Sequence, residues 1–287
     1  MGASGYHPAG RGFKLAIILL VSSAASLLLR AQCPVRTSSS PPLAEVLKSD
    51  ADVCSKAVLS DALCPINHRA TESTAYAMFK DCAETKPDGY LVVPTAPVTG
   101  IEDSRLRGET YARVWADAWE WSRRFPKAET SWTALAMNSA CSRDIDQLHI
   151  HVSCVSHAVK EALAKERESI PLYKDGERPE FKEIAVPMLN PTGTDSGMAQ
   201  YRVVRVTDLA TQNPTTIADR MTTHAQPESC VQKPAKGAVV KEDVAVVGSA
   251  EKDEYFVLTY SSGFGEGGAE DLLDQTCRQA EAKGARK

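Results

Sequence analysis

The sequence predicts an α+β fold. Two observations carry that expectation. Short apolar runs of strand length recur between Gly89 and Tyr260, and helix-period segments fall among them without a regular β-α-β alternation or any internal repeat. Composition sets the class. Of 287 residues, 43% are hydrophobic and 24% charged, which suits a soluble globular chain and excludes both whole-chain disorder and a polytopic membrane protein. The net charge of −4 is the wrong sign for gripping nucleic acid through its phosphates, so no nucleic-acid partner is expected.

The elements follow in order. Phe13 to Leu29 is largely apolar, with Lys14 its only charged residue, and Arg11 and Lys14 precede or open it as a positive flank. This is an uncleaved single-pass anchor or a secretory signal. Placing Ala31 at −1 of a cleavage site puts Leu29 at −3, which favours the anchor. The chain then divides into residues 1–32 as cytoplasmic tail and anchor or signal, residues 33–60 as tether and N-terminal helix, and residues 61–287 as the main domain. That domain is expected on the extracytoplasmic side of the cell membrane. The segment beyond the anchor is more acidic than the whole, because residues 1–32 hold Arg11, Lys14 and Arg30 and no acid. Eight cysteines without a CxxC pair suit disulfides in an oxidising compartment, with buried thiols as the alternative. Cys154 either pairs with Cys277 beneath the sheet or stays a thiol.

Helical spacing marks Ala44–Cys64, Thr71–Cys82 and, at greatest length, Arg105–Phe125. In the last of these Tyr111, Trp115, Trp119 and Ser122 form one row and Val114, Ala118, Trp121 and Phe125 a second. That pattern predicts a helix packed on a sheet by its aromatic face, with lipid contact as the lesser reading. Strands are expected at Gly89–Pro94, Thr133–Asn138, Leu148–Val155, Tyr201–Val206, Val239–Gly248 and Glu254–Tyr260, the last two as a hairpin. Ser156 caps a helix to Glu168, Thr216–Met221 is a helical turn, and Ala269–Ala282 a terminal helix. Asp175–Ser196, rich in proline, glycine and charge, reads as a long loop. Ser261–Gly268 lacks the lysine of a phosphate-binding loop and reads as a flexible turn.

The chemistry gathers around residue 149. Strand alternation puts Gln147, His149, His151 and Ser153 on one face and Leu148, Ile150, Val152 and Cys154 on the other, apolar face. Imidazoles and an amide on a buried strand need partners. Three readings stay open on spacing alone: a hydrogen-bonded pair of core histidines, two ligands of a metal site, or an imidazole nucleophile acting on phosphorus. No third metal ligand is indicated by spacing.

The surroundings add to this. Asn138-Ser139, a polar loop holding Arg143, then Gln147-x-His149-x-His151 followed by Cys154 resembles the histidine-triad superfamily, and more closely the CDP-diacylglycerol pyrophosphatase family of bacterial membranes. The N-terminal apolar segment, Val92-Val93-Pro94-Thr95, Val98-Thr99-Gly100-Ile101-Glu102, the tryptophan-rich helix and the end near Cys277 agree with it. The similarity extends from about residue 60 to 280, and departs from the family over 33–60 and 175–196.

The resemblance implies a histidine-triad-like antiparallel sheet packed by helices and preceded by one N-terminal membrane helix, with residues 61–287 catalytic. It implies hydrolysis of CDP-diacylglycerol to CMP and phosphatidate, with His149 as nucleophile and His151 and Gln147 as donors to the phosphate. Asn138 and Ser139 would contact substrate. Arg143 would neutralise the diphosphate, although a loop arginine also reads as a solvated surface group. No metal or cofactor is implied. Two alternatives remain: a histidine-triad hydrolase or transferase of a soluble nucleotide, and an anchored nucleotide- or lipid-binding module without turnover.

Overall fold

A computed structural model describes residues 76–80, 86, 88–94, 98–108, 111–123, 133–143, 147–189, 195–222, 242–251, 253–261 and 268–277. The expected anchor, tether and Ala44–Cys64 helix lie outside these residues. Among the described residues no helix is long and apolar enough to cross a membrane.

The α+β expectation holds. Nine strands, β1 (Tyr76–Lys80), β2 (Tyr90–Pro94), β3 (Thr133–Met137), β4 (Ile150–Val155), β5 (Lys182–Leu189), β6 (Asp195–Val206), β7 (Glu242–Gly248), β8 (Tyr255–Ser261) and β9 (Leu273–Asp274), form one sheet. Its order is β1-β2-β4-β3-β7-β8-β6-β5, and every strand pairing is antiparallel. β9 joins β4 where Cys154 faces Asp274 and Val155 faces Leu273. Among the described residues the α-helices are α1 (Val114–Ser122), α2 (His157–Glu166) and α3 (Pro214–Met221).

Both faces of the sheet are covered, which explains why β3, β4 and β7 are buried at every position. On the first face Leu135, Met137, Ile150, Val152, Val244 and Val246 pack under α1 and α3. Trp115 and Trp119 of α1 are fully buried there, so the aromatic row is core and these two do not touch lipid. Trp115 Nε1 donates to Thr215 Oγ1 at 2.9 Å, and Trp119 meets Tyr255 edge-on at 5.0 Å. Asn213 caps α3 by accepting from the Thr215 and Thr216 amides. On the second face Ala134, Ala136, Ala245, Val203 and Leu258 meet Val159 and Leu163 of α2 and the segment Ala269–Leu273. Ser156 caps α2 as expected, accepting from Val159 N.

Four expectations are corrected. Tyr76–Lys80, within the expected Thr71–Cys82 helix, is strand β1. The Arg105–Phe125 helix is a 3₁₀ turn at Ser104–Arg107 that ends at Gly108, with the α-helix beginning only at Val114. The expected loop Asp175–Ser196 contains β5, whose Ile184 and Val186 point into the second core layer, and the start of β6. Ala269–Leu272 is one 3₁₀ turn that runs into β9, because pairing with β4 replaces continuation of a terminal helix.

Of the two alternatives for Cys154, the disulfide is present. Cys154 and Cys277 are joined, tying the end of the 268–277 segment to β4. Cys141 is also disulfide-bonded.

Candidate active site

The site lies on the second face, at the N-terminal end of β4. His151 sits inside that strand, opposite Leu91 of β2 and Ala136 of β3. His149 immediately precedes Ile150 and continues the same alternation, since Leu148, Ile150 and Val152 all enter the first core layer. Gln147, His149, His151 and Ser153 are all buried. The two imidazole rings stand edge to face, 4.9 Å apart at 74°. The alanine beside His151 leaves the sheet surface low at this point, while bulkier side chains cover the first face.

His149 Nδ1 lies 2.7 Å from the carbonyl oxygen of Gln147. A carbonyl only accepts, so Nδ1 carries the proton and Nε2 keeps its lone pair. Burial, reinforced by His151 and Arg143 and opposed by the Gln147 hydrogen bond and Glu270, pushes the His149 pKa down to about 4. The ring is therefore neutral near pH 7. Gln147 Nε2 donates to Pro94 O at 3.0 Å, which fastens the entry of the strand to the end of β2.

A carboxylate completes the cluster. Glu270, in the 3₁₀ turn, has Oε2 at 3.6 Å from His151 Nδ1. It accepts from Lys86 Nζ, from Asn138 Nδ2 at 3.1 Å and from Gln275 Nε2 at 3.3 Å. Burial works to raise its pKa, but His151, Lys86 and these hydrogen bonds prevail and hold it well below the usual carboxylate range. Its neighbour Asp271 goes the other way, pushed up to about 6 by burial and by the Glu270 charge.

The remaining sequence-predicted residues take specific places. Asn138 is turned onto Glu270: Oδ1 accepts the Glu270 amide at 3.2 Å while Nδ2 donates to the carboxylate. A Cβ at Gly268 would come within 2.5 Å of Asn138 Oδ1, so the close approach requires glycine there. Ser139 is buried in the loop that follows β3. Its amide donates to Asp243 Oδ1 at 2.6 Å, and its hydroxyl accepts from the Cys141 and Ser142 amides. Arg143 is not a solvated surface group; only 6% of it is exposed. Its guanidinium grips Glu102 with two parallel hydrogen bonds, Nη1 at 2.8 Å from Oε2 and Nη2 on Oε1. The fork lies over Gly100, where a Cβ would come 2.7 Å from Arg143 Cζ.

Comparison with known proteins bears on this constellation. Residues 52–175 match the family model for CDP-diacylglycerol pyrophosphatase. A CDP-diacylglycerol pyrophosphatase of Yersinia pestis is 42% identical over 96 residues, covering 31% of this chain and 36% of the relative. A probable CDP-diacylglycerol pyrophosphatase of Mycobacterium leprae is 38% identical over 98 residues, covering 32% and 35%. A CDP-diacylglycerol pyrophosphatase of Mycobacterium tuberculosis is 33% identical over 100 residues, covering 32% and 36%. The chain thus spans about a third of the length of the curated relatives it matches.

The CDP-diacylglycerol pyrophosphatase match begins earlier than the sequence resemblance suggested and stops well short of residue 280. It contains Gly100, Glu102, Asn138, Ser139, Arg143, Gln147, His149 and His151. Glu270 lies beyond it and was not singled out in the sequence, where Glu270-Asp271 has the look of the acidic first turn of a helix. Lys86 and Gln275 carried no signal either. Glu102 was present in the quoted motif without a role. Among the described residues no group of three or more histidine, cysteine or acidic side chains is arranged to hold a metal ion.

Proposed function

We propose that this chain hydrolyses CDP-diacylglycerol to CMP and phosphatidate through a nucleotidyl–His149 intermediate. The observation that carries this reading is the state of His149: buried, neutral, with Nδ1 committed to a carbonyl and Nε2 holding a lone pair. An imidazole so fixed needs no base to activate it. The match of residues 52–175 to the CDP-diacylglycerol pyrophosphatase family model supports the substrate class.

The geometry supports the following steps. The Nε2 lone pair of His149 attacks the α-phosphorus. The bond to the bridging oxygen breaks, and phosphatidate leaves as an anion with the electron pair. The Nδ1 proton stays shared with Gln147 O and disperses the positive charge the ring acquires. Water then attacks phosphorus, the P–N bond breaks, its electrons return to Nε2, and one proton passes to solvent as CMP departs. His151 and Gln147 donate to the non-bridging oxygens, where charge builds up in both steps. For Gln147 this calls for its amide to exchange Pro94 O for phosphate. Asn138 and Ser139 serve substrate through the segment and loop they fix, and Arg143 supplies positive potential from its place on Glu102. The reading assigns no metal and no cofactor. The arrangement is histidine-triad-like, with Gln147 in an outer position. The apolar segment at Phe13–Leu29 anchors the chain to the cell membrane, and the catalytic domain works at the extracytoplasmic face, beside its lipid substrate.

The test is incubation of the full chain with CDP-diacylglycerol in detergent, scoring CMP and phosphatidate, with a dinucleoside polyphosphate in a parallel arm. Rapid quench with cytidine-labelled substrate traps label on the protein, acid-labile and base-stable, and the label is lost in His149→Ala. Equal rates in His149→Ala and the parent chain overturn the mechanism. Turnover of the soluble nucleotide alone moves the substrate class.

A further inference from the structure

We infer that Glu270 is a positioning residue of the proposed hydrolysis: its carboxylate orients the His151 ring and keeps it doubly protonated, so that Nε2–H of His151 donates to the phosphate. The inference rests on the reading above and assigns a role to a residue outside the matched segment.

The geometry is specific. Glu270 Oε2 stands 3.6 Å from His151 Nδ1, close enough to favour the charged ring and to steer it on contraction around substrate. The carboxylate is not free to choose another partner. Lys86, Asn138 and Gln275 hold its two oxygens, and Asn138 Oδ1 holds its backbone amide. The turn that carries it is pinned on both sides. Asp271 Oδ2 accepts the Gly268 amide at its start, and β9 and the Cys154–Cys277 bond fasten its end to β4. An acid used only to anchor the chain terminus would be satisfied by Lys86 alone.

Among the described residues, charged and titratable groups face His151 from three elements. His149 faces it from its own chain segment, Glu270 from the 3₁₀ turn, and Lys86 from the loop before β2, acting through Glu270. The residues paired with it in β2 and β3, Leu91 and Ala136, carry no charge. Arg143 acts on His149. The site then holds two histidines in different states: His149 neutral with a lone pair for phosphorus, and His151 cationic with a proton for the oxygens. A single isolated histidine pair would share one proton between its members and do neither task well.

Glu270→Gln keeps the size and the hydrogen-bonding oxygen and removes the charge, and Glu270→Asp keeps the charge on a shorter arm. The titration midpoint of His151, read from its ring carbon-bound proton by NMR without substrate, should fall by about one unit or more in Glu270→Gln and be partly restored in Glu270→Asp. CMP release should fall about 100-fold in kcat in Glu270→Gln with KM little changed, as for loss of one donor to a developing oxyanion. The alkaline limb of its pH profile should move to lower pH. An unchanged His151 midpoint in folded Glu270→Gln, judged by an intact ring-proton spectrum, overturns the inference, whatever kcat does. A parent chain that releases no CMP overturns the hydrolase reading alone, because the NMR midpoint still decides the pairing. Should Glu270→Gln fail to fold, Lys86→Met removes the carboxylate's cation. In that variant a His151 midpoint that holds or rises, as loss of a nearby cation predicts, supports Glu270 as the group that sets His151, and a fall overturns it in favour of Lys86-dependent folding of the turn.

Discussion

Replacing His149 changes how stability depends on pH, and the size of the change follows from the structure. The imidazole has an ordinary pKa of 6.5 and is pushed down to about 4 in the folded chain. Between those values the unfolded chain binds a proton that the folded one refuses, so stability rises with pH across that window. The contribution is fully present above pH 6.5 and is lost as pH falls toward 4. At about 1.4 kcal/mol for each pH unit, the difference amounts to about 3 kcal/mol. The ring is deeply buried, so solvent screening removes little of it. Asp271 opposes the trend, since a carboxyl pushed up to about 6 costs stability as pH rises through that value. Subtracting a His149→Gln variant from the parent cancels Asp271 and isolates the imidazole. Urea unfolding of both chains from pH 4 to 7.5 should give a stability difference, parent minus variant, that grows by about 3 kcal/mol toward neutral pH. A flat difference would refute the claim that the folded site excludes the charged ring.

The remaining expectations concern the frame around the site. His149→Ala should fold and lose CMP release by orders of magnitude, while His157→Ala should be nearly silent, because His157 begins α2, beyond the strand that carries His149 and His151, and pairs with Glu161 at 2.9 Å; comparable rates for the two variants would remove His149 from the reaction. Gly100→Ala should drive the Arg143 fork off Glu102, whose side chains are 4% and 12% exposed, and cost about 3 kcal/mol; a melting temperature equal to the parent's would show that the fork has room to move. Activity should survive chelation by EDTA, and loss restored by zinc would reinstate the metal reading. Thiol counting on denatured, unreduced chain should find at least two disulfides, and more than four free thiols among the eight cysteines would contradict at least one of Cys154–Cys277 and the bond of Cys141.

The parts of the site that were legible in the sequence share a local cause. Gln147 to Cys154 alternates with period two, and that alone fixes which side chains share a face, so the histidine row needed no knowledge of its neighbours. The capped helix after Ser156 and the aromatic rows of α1 were legible for the same reason. What was missed depends on contacts distant in sequence. β5 reads as a loop because Lys182, Glu183 and Pro187 are the residues an edge strand tolerates, and their meaning appears only once β6 lies beside it. Tyr76–Lys80 has helix-forming alanine and methionine, yet becomes a strand because β2 offers an edge. Ala269–Asp274 turns from helix to strand because β4 has an open stretch beyond the end of β2.

That last override bears on function. A helix through residues 269–282 would be free to turn its acids outward, but the same residues paired at β4 and bonded to Cys154 must present Glu270 to His151. The neutral state of His149 is set largely by burial on its own strand. The charge proposed on His151 is set instead by a turn more than one hundred residues away in sequence. The proposed nucleophile could therefore be read from the motif, whereas the group proposed to tune its partner could be found only in three dimensions.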